Sequence, residues 1–188
     1  MPQSKVDDNQ LLDKLTDVFR LHGYEGASLS TLSEATGLQR ASLYHRFPGG
    51  KEEMAQAVLS RADDWFVSHV LAPLSEAGEP AKRVKQMAQR LDKFYNSGKF
   101  SCLLDSLSLS DTTNAIQQHV ERSFTAWLEA MTGVASEAGA STAVARRRAA
   151  DALVQIQGSL VFSRVTGDGR PFKRVLTSLP ELLTGNDE

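Results

Sequence analysis

Apolar residues recur at intervals of three and four along most of this chain, and almost nowhere at intervals of two. Leu11, Leu12, Leu15, Val18 and Phe19 set the first stripe, which predicts a helix over 7–22 that Gly23 ends. A short second helix starts after Ser28, whose hydroxyl can cap free backbone amides, runs through Leu32 and stops at Gly37. A third follows almost at once, from Gln39 to about Arg46, and Pro48, Gly49 and Gly50 then force a turn. Residues 51–72 read as a longer helix on Met54, Ala57, Val58, Ala62, Trp65, Phe66 and Val70, closed by Pro73.

The same spacing continues downstream. Pro80 opens a helix with Val84, Met87, Ala88, Leu91, Phe94 and Tyr95 that Gly98 ends. Residues 103–109, LLDSLSL, are too short to assign by period alone. Asp111 or Thr112 is placed to cap a long helix through Ile116, Val120, Phe124, Trp127, Leu128 and Met131, broken at Gly139. Residues 142–165 predict another long helix, 167–169 a turn, and 171–183 a last helix. With no strand alternation and no internal repeat, the expected fold is all-α. The first ~50 residues have the size of a small recognition module. The division expected is therefore 1–50, a three-helix recognition module, and 51–188, a helical domain with enough helices for its own core.

The segment around Gly37 carries the most specific pattern. A helix-turn-helix needs a tight turn between two helices, and glycine reaches the positive φ that such a turn requires. Ser33, four residues earlier, is small enough for close approach, while Leu32, Leu38, Leu43 and Phe47 are placed to pack inward. The next helix then presents Gln39, Arg40, Ser42, Tyr44, His45 and Arg46. Arg and Gln can hydrogen-bond base edges in a major groove, and Tyr, Ser and Lys reach phosphates. Lys51 and Ser28 both stand at helix starts, where free amides and the helix dipole favour an anion such as a DNA phosphate.

The run SLSTLSEATGLQRASLYHRFPGGKEEM resembles the DNA-binding domain of the TetR family of bacterial transcriptional regulators. The matching residues are Ser28, Ser33, Gly37, Leu43, Tyr44, His45, Phe47 and Lys51, and the match covers roughly residues 10–55. The PGG form of the turn resembles the LmrA/YxaF-like subgroup, linked to multidrug and flavonoid response. The resemblance implies that Tyr44 and Lys51 contact phosphates and that Gln39, Arg40, Ser42 and His45 lie near bases or phosphates. Gln39 stands where the family usually has a Ser or Thr cap, and Arg46 replaces a common His or Tyr, which leaves the operator sequence open. It further implies a repressor, bound as a homodimer to a palindromic double-stranded operator and released by a small hydrophobic effector.

Composition adjusts this picture in a few places. The formal net charge is -2 in 188 residues, yet 39–51 holds Arg40, Arg46 and Lys51 and no carboxylate, while Asp7, Asp8, Asp13 and Asp17 crowd the first helix. Local charge on one face matters for DNA more than the total. Hydrophobic residues make up 41%, enough for a core. No apolar run approaches the ~20 residues that span a bilayer, and MPQSKVDDNQ has no signal-peptide pattern, so a cytoplasmic protein without a membrane partner is expected.

In the second half, Met87, Leu91, Phe94, Tyr95, Phe124, Trp127, Leu128 and Met131 are candidates to line an effector pocket. Ala149, Ala152, Leu153, Ile156, Leu160 and Val161 are candidates for the dimer contact. Gln155 and Gln157 fit either role. Arg146, Arg147 and Arg148 read as a solvated helix face, and Cys102 as a buried small apolar residue or a redox sensor. His22, His69, His119 and Cys102 have no metal-ligand spacing, and no metal or cofactor is expected. No Ser-His-Asp order, paired carboxylates or Glu-x-x-His motif speaks for an enzyme. A helical adaptor without DNA binding, or a small-molecule enzyme on a helical bundle, are the alternatives.

Overall fold

The computed structural model describes residues 7–108 and 112–185. Among them, the α-helices are α1 (Asp8–Gly26), α2 (Leu29–Thr36), α3 (Arg40–Arg46), α4 (Gly50–Phe66), α5 (Pro80–Phe94), α6 (Leu103–Ser108), α7 (Asn114–Glu137), α8 (Thr142–Thr166) and α9 (Arg170–Thr184). No strand occurs among the described residues, and the all-α fold expected from the hydrophobic period is the fold found.

Four details differ from the sequence expectation. Gly23 breaks α1 with φ 65° and ψ -172°, but one more helical stretch continues to Gly26. The helix expected to reach residue 72 is α-helical only to Phe66, then widens to a π-helix over Val67–Leu71 and tightens to a 3-10 turn over Ala72–Ser75 that contains Pro73. Side chains compete for the carbonyls there. Ser68 Oγ donates to Asp64 O at 2.5 Å, and His69 Nδ1 donates to Trp65 O at 2.9 Å. Residues 103–108 are helical, with Leu103, Leu104 and Leu107 buried. The long helix starts at Asn114, two residues beyond Thr112, and Asp111 lies outside the described residues.

The chain packs as two compact units. The first ends at Ala62 and takes back Leu103–Val120; the second holds Asp63–Cys102 and the chain from Glu121 onward. These units are spatial and cut α4 and α7, whereas the division expected near residue 50 follows the end of the segment expected to read DNA. The first unit is centred on Leu11, Leu15, Phe19, Leu32, Leu43, Met54 and Leu59, all essentially inaccessible. Helix α6 packs on α1, where Ser106 Oγ donates to the Arg20 carbonyl at 3.3 Å. In the second unit α9 packs against both α5 and α8, and the core holds Val84, Met87, Leu91, Tyr95, Ile156, Leu160 and Phe172.

Candidate nucleic-acid interface

Helix α2 begins where Ser28 accepts the Thr31 amide at 3.1 Å, so the expected cap is formed. It ends at Gly37, left-handed with φ 70°, whose amide bonds back to Ser33 and Glu34 carbonyls. Ser33 does more than keep the space small. Its hydroxyl donates to the Leu38 carbonyl at 2.5 Å and ties the two sides of the turn. Thr36 Oγ1 accepts weakly from the Leu38 amide at 3.4 Å while donating to Leu32 O at 2.7 Å. The turn is thus held by hydroxyls whose partners the sequence pattern did not reveal.

Helix α3 is anchored by Leu43, which is fully buried, while Leu38 and Phe47 are half-buried at its ends. Gln39, Arg40, Tyr44 and His45 are exposed, and Ser42 and Arg46 are half-buried. Gln39 caps through backbone position alone, with no side-chain bond, so its amide is left for another partner. The Arg40 guanidinium donates to Ser30 Oγ of α2. Arg46 is ion-paired with Asp8 at 2.9 Å, and Arg61 with Asp13. The acids of α1 therefore neutralise arginines on neighbouring helices, and Arg46 is the member of the basic island whose charge is compensated within the fold.

The PGG turn positions two further candidates. Gly50, with φ 68°, stands against the Tyr44 ring: a Cβ there would lie 3.3 Å from Tyr44 Cε1. The Tyr44 ring is thereby braced on one side and 46% exposed on the other. Lys51 is not a free cation. Its ammonium donates to the Tyr24 carbonyl at 2.9 Å and lies 4.2 Å from the Tyr24 ring centre. An ammonium carries three donors, so this contact orients Lys51 and leaves further donors. The start of α4 is also partly occupied, because Glu53 Oε2 accepts the Gly49 amide at 2.7 Å and the Gly50 amide goes to Phe47 O at 2.8 Å. Tyr24 itself is buried, and desolvation, then the nearby carboxylates of Glu52 and Glu25, push its phenol above the ordinary 10.0.

The eight candidates for an effector pocket all belong to the second unit. Met87, Leu91, Tyr95, Trp127 and Met131 are buried, and Phe94, Phe124 and Leu128 are half-buried. The structure joins the aromatic ones into a continuous cluster through a residue outside that set. Phe66, at the end of α4, stacks on Trp127 at 4.0 Å and meets Phe94 edge-on at 5.2 Å. Phe94 leads on to Tyr95 and Tyr95 to Phe172, while Phe124 lies 6.0 Å from Trp127. Trp65 stacks between His69 and Phe94. Phe66 and Trp65 were legible as apolar helix positions, but their meeting with α5 and α7 is a tertiary fact.

Five of the six dimer candidates on α8, namely Ala149, Ala152, Leu153, Ile156 and Leu160, are buried within the chain, because α8 turns that face to its neighbours. The face left open carries Val154, Val161, Phe162 and Val165, which are 71%, 42%, 54% and 77% exposed, with Gly158 among them. Arg148 departs from the solvated run: it is buried and donates to the Leu183 carbonyl. Cys102 is buried with Gln157 Nε2 3.6 Å from its sulfur, while Gln155 is exposed.

Residues 11–58 match the family described as Bacterial regulatory proteins, tetR family, and residues 80–178 match Transcriptional regulator LmrA/YxaF-like, C-terminal domain. The HTH-type transcriptional regulator LmrA of Bacillus subtilis (strain 168) is 22% identical over 183 residues, 93% of this chain and 95% of its own length. The HTH-type transcriptional repressor ComR of Escherichia coli (strain K12) is 44% identical over 62 residues, 33% of this chain and 29% of its own. The crystal structure of a TetR transcriptional regulator from Legionella pneumophila is similar in fold, with a TM-score of 0.83 at 21% identity over 97% of this chain and 100% of that one.

Proposed function

This chain belongs to the TetR family of bacterial transcriptional regulators, and from that premise we propose that it is a repressor that binds a palindromic operator as a homodimer and leaves it when a small apolar effector binds. The observation that carries the DNA reading is the α3 face, where Gln39, Arg40, Tyr44 and His45 stand exposed around a single buried anchor, Leu43. Gln39 and Arg40 have the chemistry to read base edges, Ser42 and His45 lie beside them, and Tyr44, Lys51 and Ser28 are assigned to phosphates. Two such helices in a symmetric dimer would read half-sites about 34–36 Å apart. The open apolar stripe on α8 supports the dimer, because contiguous exposed apolar surface of this kind marks an interaction site.

Helix α4 supports the coupling. It starts at Gly50, against Tyr44, and ends at Phe66, stacked on Trp127. A ligand that enters among Met87, Leu91, Phe94, Tyr95, Phe124, Trp127, Leu128 and Met131 must shift these rings, and Phe66 with them. A coupling of ~1–3 kcal/mol is typical of such linkage. The site of action is cytoplasmic, with DNA. The test is selection of binding sequences from a random duplex library, followed by footprinting and a salt titration. A recovered palindrome with two protected half-sites, bound less tightly as salt rises, is expected. Recovery of no sequence preference at any salt concentration counts against the proposal.

A further inference from the structure

Two grooves of the second unit share Lys173, and neither has a part in the effector reading above. The smaller, about 370 Å³, lies between the turn after α5, the end of α8 and the start of α9. Lys99, Arg164, Arg170 and Lys173 line it. Arg170 is taken by Asp168, its Nε donating to both carboxylate oxygens at 2.9 and 3.0 Å. That bond holds the Asp168 carboxyl below its ordinary range. Lys99, Arg164 and Lys173 have no carboxylate partner among the described residues.

Ser163 is the second, independent observation. It also lines this groove, is only 4% exposed, and its hydroxyl has no hydrogen-bond partner among the described residues. Buried hydroxyls are bonded in nearly all folded proteins, so one left over beside a ligand-sized space marks a position for an external acceptor. The start of α9 lies at the same place, with the Arg170 amide already donating to Asp168 Oδ1 at 2.9 Å. The larger groove, about 750 Å³, runs between α5 and α9 over Ala88, Leu176 and Pro180, with Lys85 and Lys93 beside them and Asp92 as its carboxylate.

We propose that the two grooves together bind an amphipathic small molecule with an anionic head. The head oxygens accept from Ser163 and from the Lys99, Arg164 and Lys173 side chains, and the apolar body lies over Ala88, Leu176 and Pro180. This site is separate from the aromatic cluster and stands whether or not the protein is a repressor.

The test uses the full chain, with octyl phosphate, octanol and inorganic phosphate as probes, read by titration calorimetry and by thermal shift. Octyl phosphate is expected to bind and raise the Tm, and the other two to bind at least about tenfold more weakly. Lys173→Ala should lower octyl phosphate affinity about tenfold without changing the Tm of the free protein. Ser163→Ala should move two readouts in opposite directions. The Tm of the free protein rises, because an unpartnered buried hydroxyl is gone, while the affinity falls about fivefold. Arg147→Ala, on an exposed part of α8, should leave the affinity unchanged. The proposal is overturned by unchanged affinity in Lys173→Ala and Ser163→Ala, by octanol binding as tightly as octyl phosphate, or by no octyl phosphate binding at all.

Discussion

Alanine at Gly37 and alanine at Gly50 separate two effects that either substitution alone would mix. Both glycines hold left-handed backbone, at φ 70° and 68°. Each alanine therefore places a Cβ in the same disfavoured region, at about 1–2 kcal/mol. The surroundings differ. At Gly37 the new methyl meets nothing within 4 Å, whereas at Gly50 it sits 3.3 Å from Tyr44 Cε1 and the ring must give by a few tenths of an ångström. Tyr44 is 46% exposed and can yield with little added strain. The two variants should lose similar stability, which for a chain of this length is a fall in Tm of roughly 2–8 °C.

Their DNA affinity should not fall together. Gly37→Ala keeps the α3 surface in place, and its folded fraction should bind a selected duplex within about twofold of the parent. Gly50→Ala displaces the Tyr44 hydroxyl from its place. A hydrogen bond to a charged oxygen is worth about 1.5–3 kcal/mol, and losing part of it, about 1 kcal/mol, is about fivefold in affinity. Guanidinium unfolding gives the stability, and fluorescence anisotropy on the selected duplex gives the affinity. The double variant Gly50→Ala with Tyr44→Phe closes the cycle, since without the hydroxyl the added methyl should cause no further loss. Equal affinities for Gly37→Ala and Gly50→Ala, or a further loss in the double variant, would refute the reasoning.

Other outcomes follow from single contacts. Arg40→Ala, at an exposed position of α3, should weaken binding to the selected duplex by about 1–3 kcal/mol and leave the unfolding midpoint unchanged, measured by anisotropy and guanidinium unfolding. Arg83 is 5% exposed and donates to Leu74 O at 2.7 Å and Glu76 O at 2.9 Å while pairing with Glu137, so Arg83→Met should cost about 2–4 kcal/mol in guanidinium unfolding. Glu137 is 57% exposed, and Glu137→Gln should cost under about 1 kcal/mol in the same measurement. The raised phenol of Tyr24 makes the unfolded chain the first to lose that proton as pH rises; stability is therefore full below about 10 and falls as pH climbs through the higher folded value. In unfolding curves taken across that range, Tyr24→Phe should show a shallower decline. Phe162→Glu with Val165→Glu, on the exposed stripe of α8, should give a folded monomer by light scattering; a persistent dimer would remove α8 from the interface.

Helix α3 and the turn before it were legible because their determinants are local. Ser28, Gly37 and Leu43 act within a few residues of themselves, through capping, positive φ and one buried face, and each is found doing so. The pairing of Arg46 with Asp8 and the seat of Lys51 on Tyr24 were not legible. They join residues 38 and 27 positions apart, and no period relates them. The dimer candidates on α8 show the same limit. Its apolar residues surround most of the helix, so the sequence could not say which face α9 covers. Val154, Phe162 and Val165 emerged as the open face only once Ala149, Ala152 and Ile156 were seen to be buried.

By itself the sequence determined that the chain is helical, where most helices begin and end, and which short segment resembles the TetR family's DNA-binding domain. Those properties depend on backbone geometry, capping groups and apolar spacing within one or two turns. Only the tertiary structure decided which charges remain available, which aromatic residues form one cluster, and that a buried Ser163 is among the residues lining a basic groove. Each of these depends on side chains brought together from distant helices, whose packing is set by the whole core and leaves no mark in any single stretch of the chain.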